Sequence, residues 1–171
     1  MSIGVAIGLF CFLSLMLYCE ILEKALSDSL LIFFVGIGFV NNSYLGGLGS
    51  WLSLEPSLMR SLLDCLIAFL FYLPYRRFYP NQWTLLLFLV ICALFMGPVY
   101  FFHFYFYTAL VCSLLSLLLI VSHSVKNKAE VNVRDFFKWK PEGKSGVRAP
   151  YFTSGFLAFA GMLFFQGFYN A

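Results

Sequence analysis

The sequence predicts an all-α protein, a polytopic bundle of transmembrane helices with about six spans. Three observations predict it. Of 171 residues, 61% are hydrophobic and only 11% charged, against roughly 25% charged in an ordinary soluble domain. Trp83 to Ser122 holds no formally charged side chain, and His103 is its one group able to become positive. That run is about twice the roughly 20 helical residues needed to cross a hydrocarbon core about 30 Å thick. Finally, Lys126, Lys128, Arg134, Lys138, Lys140 and Lys144, with Arg148 close behind, supply most of the 11 basic residues. Such a density marks one face of a bilayer before it marks any acidic partner. The chain has room for a single integral-membrane domain, 1–171, with a polar and basic interfacial segment, 123–150, inside it.

In chain order, Ser2 to Leu22 is the first span and ends at Glu20, Glu23 and Lys24. It lacks the basic start of a secretory signal and is read as a retained helix. Gly4 and Gly8 form a small patch where another helix can approach closely. Leu30 to Val40 is apolar but short, so the second span needs Lys24 to Ser29 before it and Asn41 to Leu45 after it, with Ser27 or Asp28 as cap. Asn42 to Pro56, with Gly46, Gly47, Gly49 and Trp51, reads as an interfacial or re-entrant loop.

Ser57 to Leu73 is the third span and carries Arg60 and Asp64. Four residues apart, they share one helix face and can pair. Pro74 closes it, and Tyr75 to Pro80 is an aromatic and basic interface belt containing Arg76 and Arg77. The apolar centre breaks at Gly97-Pro98, where proline cannot continue the hydrogen-bonded ladder and glycine accepts unusual backbone. The expectation is a helical hairpin of Trp83 to Met96 and Val99 to Ser122; a single kinked helix would reduce the count to five spans. The hairpin is preferred because it puts Arg76-Arg77 and the Lys126 to Arg148 segment on the same, positive side. His123 to Pro150 suits an amphipathic stretch at a membrane surface or on a partner. Tyr151 to Phe168 is the last span, with Ser154, Ala158 and Gly161 as a contact face.

Several residues are candidates for chemistry. His103 shares a helix face with Tyr100 and Tyr107, a setting in which imidazole can ligate haem iron, bond a quinone carbonyl or relay protons. His123 stands about 30 Å farther along the same helix, too far to complete one haem's ligation. Arg60 and Asp64 are intramembrane charges, which are expensive and often functional; Glu20 also reads as an intramembrane, proton-carrying carboxylate, although its nearness to Glu23 and Lys24 favours an interfacial position. Arg76, Arg77, Lys126, Lys128, Lys138 and Lys140 set interface and topology. The five cysteines lie in apolar runs without a CxxC pair and read as small buried hydrophobes, not as a metal site or disulfide framework.

The chain has no GxSxG, HExxH or phosphate-binding glycine loop, and Gly143 to Gly146 lacks the spaced glycine of a P-loop. The expected function is therefore that of a non-catalytic integral subunit of a larger membrane complex, of energy-transducing or secretion type. Its expected partners are the lipid bilayer and other membrane subunits, without nucleic acid, in a bacterial or organellar inner membrane. The alternatives are a small transporter or channel using Asp64 and Arg60, and a haem- or quinone-associated redox anchor using His103.

Overall fold

The computed structural model describes residues 3–22, 26–45, 58–74, 82–127 and 150–169. Among them every regular element is an α-helix: α1 (Ile3–Ile21), α2 (Asp28–Leu45), α3 (Leu58–Tyr72), α4 (Gln82–Asn127) and α5 (Tyr151–Tyr169). Within α4, Trp83–Ser122 is long and apolar enough to cross a membrane; α1 and α5 hold the shorter apolar runs Val5–Ile21 and Tyr151–Phe164.

The centre of the molecule is a bend. Gly97 takes φ 73° and ψ 169°, a region essentially closed to residues with a Cβ. Pro98 follows at the start of the next turn, where a missing N–H costs nothing. In a continuous helix Phe88 and Phe104 would stand about 24 Å apart, yet their ring centroids are 6.5 Å apart. Both rings also reach Gly155 of α5, within 3.2 and 3.4 Å of where a Cβ would sit. The two arms of α4 therefore turn back through at least about a right angle. The break falls at the glycine-proline step, where the sequence places it.

Leu85, Phe88, Leu89 and every residue from Ile91 to Met96 are buried, so the first arm is the core around which α1, α2 and α5 gather. Phe95, just before the bend, explains part of that arrangement. Its ring lies between Gly8 of α1 and Gly38 of α2, where an added Cβ would come within 3.2 and 2.9 Å of it. Glycine on both flanking helices leaves the ring room. Farther along the same arm Phe88 meets Phe12 of α1 at 5.9 Å and Phe152 of α5 at 5.0 Å. Because residue 8 pairs with 95 and residue 12 with 88, α1 runs antiparallel to this arm. On the second arm, Tyr105 and Phe101 close on Phe71 at the end of α3, with centroids 4.5 and 5.8 Å away.

Three expectations change. The loop expected from Asn42 starts no earlier than residue 46, because α2 continues to Leu45, the extension the second span needs, and keeps Asn42 and Ser43 on a packed helix. The cysteines are all free, but only Cys92 and Cys112 are buried, Cys11 being exposed and Cys19 and Cys65 intermediate. A Cβ at Gly161, placed with Ser154 and Ala158 on a contact face, would meet nothing within 4 Å, while Ser154 and Ala158 are buried. The rest of the proposed glycine-rich loop, Arg76 and Arg77, and Lys128, Lys138 and Lys140 lie outside the described residues, as does most of segment 123–150.

Candidate functional site

The strongest concentration of buried polar groups lies between α2 and α3. Along α3 the buried residues are Arg60, Ser61, Asp64, Ala68 and Tyr72, one face of the helix at four-residue spacing. The opposite side carries Leu58, Met59, Leu62, Leu66 and Leu70, all exposed. Charge points inward here and leucine outward: Asp64 is 0% exposed and Met59 76%.

Antiparallel α2 brings Asn42 and Ser43 to this face. Asn42 Nδ2 donates to Asp64 Oδ2 at 2.6 Å, and the hydroxyls of Ser43 and Ser61 bond each other at 2.8 Å. Arg60, one turn before Asp64, attracts its carboxylate as the shared face predicts. Two oxygens at the centre of the cluster, Asn42 Oδ1 and Asp64 Oδ1, are buried without a hydrogen-bond partner. A buried polar atom left unpaired costs about 1–3 kcal/mol, and the side-chain amide nitrogen of Asn41 on the next residue is a buried donor likewise without a partner.

Sequence reasoning identified Arg60 and Asp64 and missed Asn42, Ser43 and Ser61. The available signal was Asn41-Asn42-Ser43 directly after an apolar run, which the short length of Leu30 to Val40 already called on to complete the second span.

Glu20 has a different occupation. Its carboxylate accepts from Thr153 N at 2.6 Å, Thr153 Oγ1 at 2.6 Å and Phe152 N at 3.2 Å. The chain enters α5 through Ala149-Pro150, which offers no capping side chain of its own, and the first N–H groups of a helix need an acceptor. Glu20 supplies it from α1, joining the end of one helix to the start of another. This engagement ties the carboxylate to structure.

His103 is exposed on the second arm of α4, with Nδ1 2.8 Å from Val99 O one turn back. Tyr107 is exposed beside it and Tyr100 half-buried. Among the described residues, no three His, Cys, Asp or Glu side chains come together as a metal site. His123 falls in the last turns of α4. Compared with known proteins, the chain matches no family model, no curated relative and no solved structure.

Proposed function

We propose that the chain is a multi-pass integral membrane protein of six spans, serving as a non-catalytic subunit of a larger membrane assembly of energy-transducing or secretion type. The observation that carries this reading is the reversed amphipathicity of α3. A helix facing water turns its charges outward and its leucines inward; α3 does the opposite, as expected where the surrounding medium is hydrocarbon. Other helices carry the same apolar exterior, with Ile32, Phe33, Ile37 and Val40 exposed on α2 and Phe102, Phe106, Leu110 and Leu114 on α4. Contiguous exposed apolar surface on this scale marks contact with lipid or with other protein.

The far end of α4 supports the subunit role. Leu117, Leu118, Leu119 and Val121 are all exposed, and at 100° per residue they cover a little over half of the helix, with buried Ser116 on the other side. That rod is shaped for lipid or for neighbouring helices. Purification in mild detergent tests the assignment: the chain is expected to run with other membrane proteins, and a stable lone monomer counts against it. Cysteine labelling in sealed vesicles tests the span count. The connectors 74–81 and 128–149 are expected on one side, and labelling from opposite sides removes the six-span layout.

A second reading, transport through the α2–α3 face, is favoured by the two unpartnered oxygens at Asn42 and Asp64. Under it, Asp64→Asn abolishes flux in reconstituted vesicles, and an unchanged rate refutes it.

A further inference from the structure

The unpartnered oxygens of the α2–α3 cluster point to a ligand, and one proton answers both. Asn42 Nδ2 already donates to Asp64 Oδ2, which is half of the cyclic pair an amide forms with a carboxylic acid. The other half is a hydrogen on Asp64 Oδ1, donated to Asn42 Oδ1, and both of those atoms are buried without a partner, as are Asn41 Nδ2 on the next residue and Thr108 Oγ1 on α4. We infer that Asn42 and Asp64 form a proton-binding site, in which a neutral Asp64 closes a two-bond ring with Asn42 and an ionised Asp64 is held by Arg60. On release the Oδ1–H bond breaks, its electron pair stays on the carboxylate, and the proton passes to a water molecule.

The surroundings suit an exchange between these two states. Arg60 acts on the carboxyl from one turn away on α3, and Cys65 sits beside it in sequence and feels its charge. From α2 the facing groups are Asn42 and Ser43; the titratable groups of that helix are Asp28 at its far end and Tyr44, both exposed. Between Trp83 and Ser122, α4 brings no formally charged side chain, its titratable groups being Cys92, Tyr100, His103, Tyr105, Tyr107 and Cys112. The Ser43–Ser61 hydroxyl pair lies nearer the end of α2 and the start of α3, and hydroxyls both accept and donate. That places a relay between the carboxyl and the edge of the bundle.

The inference rests on the bundle lying in lipid and deepens the transport reading by naming the ion. Infrared spectroscopy tests it, using protein carrying ¹³C at the side-chain carboxyl of aspartate, reconstituted in vesicles. The chain has only two other aspartates, Asp28 and Asp135, and a solvated aspartate ionises near pH 3.9. In mildly acidic buffer a labelled carbonyl band of a neutral acid is expected; it bleaches reversibly on alkalinisation and shifts in D2O. The band persists in an Asp28→Asn, Asp135→Asn double variant, disappears in Asp64→Asn, and moves in frequency in Asn42→Leu. Absence of the band from wild-type protein, or its loss in the double variant, overturns the site. Vesicle insertion is read separately by cysteine labelling, so an inserted bundle without the band rejects the proton site and leaves the membrane reading standing. A band without proton flux keeps the site and rejects transport.

Discussion

Alanine at Gly38 tests the packing of Phe95 between α1 and α2. A Cβ there would stand 2.9 Å from Phe95 Cε2, 3.1 Å from Phe95 Cδ2 and 3.1 Å from Leu94 Cβ, distances at which something must move. The ring has little freedom to yield toward α1, because it already lies against Gly8, where an added Cβ would be 3.2 Å away. Overpacking of this kind costs about 1–3 kcal/mol. Replacing glycine by alanine inside a helix also gains about 1 kcal/mol in backbone propensity, which would mask part of the loss. Gly36 of the same helix supplies the control, since a Cβ there meets nothing within 4 Å. The difference between Gly38→Ala and Gly36→Ala therefore isolates the clash. For a chain of this length it corresponds to a melting temperature about 2–12 °C lower for Gly38→Ala. The measurement is thermal unfolding in one detergent, followed by near-ultraviolet circular dichroism. Equal melting temperatures would refute the packing argument. Adding Phe95→Leu to Gly38→Ala should destabilise less than the sum of the two single changes, because the ring that is struck is gone.

Other expectations follow from individual contacts. Gly97→Ala forces a Cβ into the φ 73°, ψ 169° conformation and should cost on the order of 1–3 kcal/mol; a melting temperature equal to wild type would argue against the bend. Glu20→Ala removes the acceptor for Phe152 and Thr153 at the start of α5 and should cost about 0.5–2 kcal/mol. Glu20→Gln keeps an acceptor oxygen and should recover part of it, and hydrogen exchange at those two amides checks both variants.

The sequence by itself determined the helical class, the apolar stretch, the turn at Gly97-Pro98 and the shared face of Arg60 and Asp64. These are local properties. Composition sets the solvent a chain can tolerate, glycine and proline restrict backbone at single positions, and helical periodicity places residues four apart together. Asn42 as the partner of Asp64, Glu20 as the cap of α5, and Gly8 and Gly38 as the walls around Phe95 were decided only by the tertiary structure. Each is a meeting of residues distant in the chain, and no periodicity records which helix will become whose neighbour. Glu20 reads alone as a costly intramembrane charge and becomes an ordinary acceptor once α5 begins beside it. Asn42 reads as the start of a loop because polar residues end apolar runs. The antiparallel approach of α3 makes it a helix position instead, since its amide then has the Asp64 carboxyl to bond.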